Sequence, residues 1–325
     1  MAKKATTKPK LALYWAASCG GCEIAVLGIA ENILKVAEAF DIVFWPCAVD
    51  GKVKDVEAMA DGEIMICLFN GGIRTSENEE MAHLMRRKSQ VLVSFGSCAQ
   101  EGCIPGLANL TTKDAIFHKV YIDNPSIDNP DGIYPTPGYS MPEGEIRLPE
   151  FCETLRSLNQ VTQVDYYIPG CPPEAHQIWA VLELILSGAQ LPPAGSVIGA
   201  NKSTVCDECD REKREKCVSR FYRPFEIVPE DDWCLLEQGL ICTGLATRGG
   251  CGAKCPKVGI GCRGCYGPPD GVLDQGARLV SAIASMVDSN DPDEIQAIIN
   301  TIADPAGTFY RFSMAHSLLF RSKGG

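Results

Sequence analysis

No G-x-G-x-x-G follows the first apolar run of this chain, so the glycine fingerprint of a dinucleotide-binding fold is missing from its usual place. Histidine is scarce. There are four, His83, His118, His176 and His316, none at metal-ligand spacing, and a surface or core role is the default for each. His176 is set apart only by lying five residues after Cys171. Positive charge is short: 30 Lys and Arg stand against 41 Asp and Glu, a net charge of −11, with no basic stripe. That argues against nucleic acid as a partner. The one charge-dense run, residues 207–216, is mixed in sign and reads as a solvated face. Long apolar runs are also absent. Residues 178–186 are apolar but short and contain Glu183, so they predict a packed helix and no membrane span. The basic start, residues 1–10, leads into an apolar stretch broken by Ser18-Cys19-Gly20-Gly21, without a small-residue cleavage site or a twin-arginine pair. The expected compartment is the cytoplasm, where thiols stay reduced and bind metal.

What the chain has is cysteine. Seventeen of its 325 residues are Cys, on an otherwise ordinary background of 46% hydrophobic and 22% charged residues. A chain of this size is no disulfide-stapled secreted domain, and it has room for two domains.

The first half alternates strands and helices. Apolar runs at 11–15, 41–45, 64–69, 91–95 and 164–168 predict five strands. Helices are expected over 22–40, 77–88 and about 173–187. This alternation predicts βαβ units, a doubly wound parallel sheet of flavodoxin-like type, and helices on both faces. Between strands four and five, residues 123–149 hold six of the 21 prolines and predict a surface or interface loop insertion. Leu191-Pro192-Pro193-Ala194-Gly195 marks a second break. We expect a flavodoxin-like domain over 1–195 and a cysteine-rich domain over 196–325. The second carries nine cysteines in sixty residues, then helices near 273–288 and 292–302.

In an open parallel sheet, the loops after the strands form the binding crevice. Cys19 and Cys22 follow the first strand as C-x2-C, Cys98 follows the fourth, and Cys171 follows the fifth in Pro169-Gly170-Cys171-Pro172-Pro173. Four thiols from three loops match the four thiolates of an iron–sulfur cluster. Gly20 and Gly21 permit the tight approach of two ligands three apart. The plain alternative is a set of buried thiols. Zinc is the stronger rival for four thiolates.

The second domain runs Cys206-x2-Cys209, Cys217, Cys234-x7-Cys242, Cys251-x3-Cys255-x6-Cys262-x2-Cys265. Two more four-thiolate sites are expected, one on Cys206, Cys209, Cys234 and Cys242 and one on Cys251, Cys255, Cys262 and Cys265. Neither follows the ferredoxin run C-x2-C-x2-C-x3-C-P. The spacing leaves zinc open, and an exchange of Cys217 for Cys234.

Ala17-Ser18-Cys19-Gly20-Gly21-Cys22-Glu23, Phe95-Gly96-Ser97-Cys98-Ala99 and Pro169-Gly170-Cys171-Pro172-Pro173 resemble the proximal-cluster motifs of NiFe hydrogenase small subunits. Cys234-Leu235-Leu236-Glu237-Gln238-Gly239 and Cys262-Arg263-Gly264-Cys265-Tyr266-Gly267-Pro268 resemble the cytosolic group, nearest the gamma subunit of methyl-viologen-reducing hydrogenases, with the sulfhydrogenase delta subunit close by. The resemblance covers nearly the whole chain. It implies three 4Fe–4S clusters: proximal on Cys19, Cys22, Cys98 and Cys171; medial on Cys251, Cys255, Cys262 and Cys265; distal on Cys206, Cys209, Cys234 and Cys242. Cys206 stands where many uptake hydrogenases have histidine. The resemblance also implies that the NiFe centre belongs to a separate large subunit. This chain would relay electrons from dihydrogen oxidation to a small iron–sulfur or flavin acceptor, such as a heterodisulfide-reductase-type complex. Glu23 is a candidate for proton movement at the partner interface, against the simpler reading of a carboxylate favoured by a helix dipole.

Five cysteines remain. Cys67 in a strand and Cys152 in an expected helix read as core thiols, Cys47 and Cys103 as packing beside the first site, and Cys217 as spare. The rival functions are a cluster subunit of complex I-like or other dehydrogenases and a zinc-organised scaffold. The long cysteine-rich extension argues against the complex I type.

Overall fold

The computed structural model describes residues 8–215 and 217–321. Its strands in chain order are β1 (Lys10–Trp15), β2 (Asp41–Phe44), β3 (Ile64–Asn70), β4 (Ile73–Thr75), β5 (Ser89–Phe95), β6 (Gly138–Met141), β7 (Gly144–Arg147), β8 (Phe151–Arg156), β9 (Tyr166–Ile168) and β10 (Ser196–Val197). Six form one parallel sheet in the order β10-β9-β5-β3-β1-β2. The chain runs outward from β1 to β2, then crosses to the other side of β1 for β3 and continues away. This is the flavodoxin-like order, with its switch point between β1 and β3. All five expected strands are there, and β10, two residues wide, follows the proline break as a sixth.

Side-chain alternation explains why the sheet is covered twice. Leu11, Leu13, Ile66, Leu68, Val93 and Phe95 point to one layer, with Val26, Val36, Ile178 and Leu182 of the helices above them. Ala12, Tyr14, Cys67, Phe69 and Leu92 point to the other, against Val56, Met81, Met85 and Ala99. Strands buried on both faces require apolar residues at every position, which is how these runs read.

Three local expectations are corrected. The helix expected over 22–40 is two, Gly21–Leu27 and Asn32–Ala39. Ala30, at φ 55°, takes the left-handed conformation between them, which an α-helix cannot accommodate. The insertion 123–149 contains the antiparallel hairpin β6–β7, exposed along its length. Cys152 lies in β8, which pairs antiparallel with β4, and not in a helix. The helix Ser76–Lys88 starts where its cap places it: Thr75 Oγ1 accepts from Asn78 N, and Asn78 Oδ1 accepts from Thr75 N.

Beyond Ile198 regular structure thins out. The helices Gln275–Ala284 and Pro292–Ile299 are each started by an aspartate, Asp274 and Asp291, whose carboxylate accepts first-turn amides. They pack Leu279, Ile283 and Ile298 against Phe221 and Leu236. The cysteines occupy the irregular loops between this small core and the carboxyl edge of the sheet. Ser97 Oγ donates to the Cys265 carbonyl, Tyr266 Oη donates to Gln177, and Cys103 N donates to Phe312 O at 3.0 Å, so the cysteine-rich part is fastened to that edge.

Candidate iron–sulfur centres

The first site forms at the carboxyl ends of β1, β5 and β9. Cys19 leaves β1, Cys22 opens the helix Gly21–Leu27, Cys98 lies in the helix Ser97–Glu101 that follows β5, and Cys171 follows β9. Backbone shape brings them together. Gly20 is left-handed at φ 79°, and Gly21 N donates to Cys19 Sγ at 3.4 Å. Gly96, at φ 82°, passes so close that a Cβ there would fall 2.3 Å from Cys22 Sγ. Only glycine fits there.

The thiols feel one another. Burial pushes the Cys22 thiol up, and the neighbouring Cys171, Cys19, Glu23 and Cys103 raise it further. Cys171 is raised by its contact with Cys103 and by burial. Crowded thiols cannot all ionise unaided; a cationic metal core removes their protons and stabilises the thiolates together.

Cys103, expected to pack beside the first site, lies against it. Cys103 is buried, with its Sγ 3.7 Å from Cys171 Sγ. It lies two residues beyond the end of the helix Ser97–Glu101, where it starts the 3-10 segment Ile104–Leu110.

Glu23 is buried beneath this site. The Trp45 indole donates to it, and Asn70 Nδ2 lies 3.4 Å away. Burial raises its pKa and these two hydrogen bonds oppose the rise. Cys47 is exposed nearby and feels the Glu23 charge.

The second set gathers around Cys265, whose thiol is raised by burial, then by Cys262, Cys251, Cys171 and Cys255. Cys265 also packs against Cys98 and Cys103, at the first site. The third set, Cys206, Cys209, Cys234 and Cys242, lines one small cavity together with Arg211 and Lys213. Burial drives Cys206 up to about 11 and Cys242 up to about 12. Cys262 N donates to Cys242 Sγ at 3.2 Å, which joins the second set to the third. Gly244 clears the third set, since a Cβ there would meet Cys206 Sγ at 3.3 Å and Cys242 Sγ at 3.6 Å.

Glu208 has a place that spacing did not disclose. Its carboxylate accepts from Gly250 N at 2.6 Å and Gly252 N at 2.9 Å, and so latches the loop that carries Cys251.

The remaining residues stand apart. Cys217 is exposed beside Asp288. Cys67 is fully buried within β3, where burial raises it to about 12. His176, His83 and His118 are exposed, and His316 bonds to Asn159. Among the described residues, no three Cys, His, Asp or Glu side chains converge tightly enough for a single metal ion. The donors are all sulfur, met by backbone amides, and this chemistry fits the thiolate ligation and N–H···S bonding of iron–sulfur clusters.

Residues 19–185 match the family described as NADH ubiquinone oxidoreductase, 20 Kd subunit. The chain is 39% identical to an iron–sulfur subunit of the F420-non-reducing hydrogenase of Archaeoglobus profundus, over 95% of this chain and 97% of that one. It is 27% identical to the delta subunit of sulfhydrogenase 2 of Pyrococcus furiosus, over 80% and 86%. A crystal structure of an NAD+-reducing [NiFe]-hydrogenase in the H2-reduced state matches with 29% identity over 57% of this chain and 96% of that chain, at a TM-score of 0.48. Among the described residues no helix is long and apolar enough to cross a membrane. The chain belongs to the 20 kDa subunit family, in its branch of NiFe hydrogenase iron–sulfur subunits, whose catalytic site lies in a partner large subunit.

Proposed function

We propose that this chain carries electrons for a cytoplasmic NiFe hydrogenase on three 4Fe–4S clusters, and passes them from the large subunit to a small iron–sulfur or flavin acceptor such as a heterodisulfide-reductase-type complex. The proximal cluster would be held by Cys19, Cys22, Cys98 and Cys171, the medial by Cys251, Cys255, Cys262 and Cys265, and the distal by Cys206, Cys209, Cys234 and Cys242. Bound there, each supplies a one-electron carrier whose potential responds to hydrogen bonds, burial and nearby charge. We assign the first site to a domain over 1–195 and the other two to a domain over 196–325.

The observation that carries this reading is continuity. Cys265 of the second set packs against Cys98 of the first, with Cys103 and Phe312, and Cys262 N of the second donates to Cys242 Sγ of the third. A row of thiol sets without gaps suits electron transfer; separate structural zinc sites have no need of it. The large subunit would dock over the exposed Cys19 and Cys171, and the acceptor beyond Cys206 and Cys209.

The test is metal analysis of the anaerobically purified hydrogenase complex. About twelve iron and twelve sulfide per copy of this chain are expected, once the large subunit's own metals are subtracted. About four iron and two zinc would instead make the second domain structural.

A further inference from the structure

A cavity of about 130 Å3 opens in the cysteine-rich part, outside all three thiol sets. Arg223, Arg263 and Arg311 line it, with Tyr222, Thr301 and Thr308. Among the described residues none of these three arginines has a carboxylate within ion-pair distance, which they share with Arg74, Arg211 and Arg278, whereas Arg86, Arg87, Arg147, Arg156, Arg214, Arg220 and Arg248 each have one. The acidic groups near the cavity are engaged. Glu226 pairs with Arg220 at 3.5 Å and accepts from the backbone N of Arg223, and Asp304 accepts from Gly307 N.

Arg311 is half-buried. Burial, with the Arg263 charge facing it, holds its guanidinium below the usual arginine range, partly offset by Asp304. Arg223 and Arg263 are exposed, with the Arg223 guanidinium 5.7 Å from the Phe225 ring centre. Three arginines lining one hollow, in a chain of net charge −11, are a local concentration of positive charge that suits an anion. Guanidinium forks match the oxygens of tetrahedral anions in two-point hydrogen bonding. The volume is well below the ~300–1,000 Å3 of sites that enclose a whole small molecule, so it suits one oxyanion group.

We propose that this cavity binds a tetrahedral phosphate-type dianion, as free phosphate or as the phosphoryl group of a small metabolite, through Arg223, Arg263 and Arg311. Arg263 lies between Cys262 and Cys265, which puts the bound charge beside the second thiol set. The binding is independent of how the clusters are assigned.

Inorganic phosphate should be titrated calorimetrically into the anaerobically purified hydrogenase complex at constant ionic strength, with chloride as the compensating ion. We expect saturable binding at one site per copy of this chain, weakened about tenfold or more in Arg311→Gln. Arg311→Lys should retain part of it. Arg278→Gln, on an exposed arginine outside the cavity, should bind as the native chain does. Arg223→Gln, at an exposed position, provides the same test if Arg311→Gln does not fold. Glycerol phosphate separates the sources. Equal affinity points to a phosphoryl group on a larger molecule, and preference for inorganic phosphate points to the free ion. Binding that does not saturate, that chloride matches, or that survives Arg311→Gln and Arg223→Gln would overturn the proposal. So would binding of an acidic peptide without binding of phosphate.

Discussion

Glu101 ends the short helix that carries Cys98, and it is buried between the sheet edge and the cysteine-rich part. Its Oε2 has no hydrogen-bond partner, and Gly267 passes so close that a Cβ there would lie 2.6 Å from Oε1. Burial raises its pKa from 4.5 to about 8; Arg248 opposes the rise and Asp274 adds to it. A carboxyl raised on folding is held neutral in the native state, while the unfolded chain releases the proton from about pH 4.5. Between pH 4.5 and 8 the native state therefore binds more protons, so stability falls as pH rises through this window and levels off above it. The gap corresponds to a ceiling of about 5 kcal/mol. Glu101→Gln keeps the shape and removes the proton equilibrium. It should have stability close to the native chain near pH 5 and exceed it by roughly 2–5 kcal/mol near pH 8.5. Urea midpoints of the anaerobic complex at several pH values measure this. A gap between the two proteins that stays constant from pH 5 to 8.5 would refute the argument, and would mean that Glu101 is ionised at all these pH values or is reached by water.

Cys171→Ala should abolish dihydrogen-dependent dye reduction and remove about four iron, whereas Cys217→Ser should keep the full iron content; loss of a cluster in Cys217→Ser would place Cys217 among the ligands. Gly96→Ala, which drives a methyl into Cys22 Sγ and strains a backbone at φ 82°, should lose the first cluster's electron paramagnetic resonance signal and spare the other two. Glu208→Ala frees the loop of Gly250 and Gly252, so the cluster site of Cys251 should lose iron to a chelator faster than the site of Cys206; equal rates would show that the latch has no such role.

Sequence made the sheet legible because both of its faces are buried, and its strands read as unbroken apolar runs. The switch point then followed from strand order, and the cysteines at strand ends could be placed on one edge. What stayed hidden depends on the path of the chain between those fixed points. Periodicity gave one helix over 22–40 because apolar residues continue across Gly28 to Glu31; the break needs the left-handed Ala30, which no residue preference announces. Cys152 read as helical because β4, the strand that pairs with β8, is three residues long and offers little pattern. Glu208 acts across a gap that spacing cannot close, since it lies 42 residues before the Gly250 amide it holds.

The two parts of the molecule differ in how they hold thiols, and the difference has a physical cause. At the sheet edge, rigid strands set the positions of Cys19, Cys98 and Cys171, and glycines such as Gly96 merely clear the space. In the cysteine-rich part the backbone near Cys206, Cys242 and Cys251 is turns and short 3-10 segments, held by side chains such as Glu208 and Asp207. The small core of Leu279, Ile283 and Phe221 is touched by Cys234 and Cys242 of the third set, while Cys251, Cys255, Cys262 and Cys265 are not part of it. An all-thiol site on such loops has little to oppose thiol repulsion when metal is absent, and metal binding then contributes to folding itself. The first site should therefore survive metal removal as a preformed crevice, while the other two order as they fill. Hydrogen exchange of the apo chain tests this: amides of β3 and β5 should stay protected while those around 242–265 exchange freely, and equal protection in both would show that the cysteine-rich loops fold without their metal.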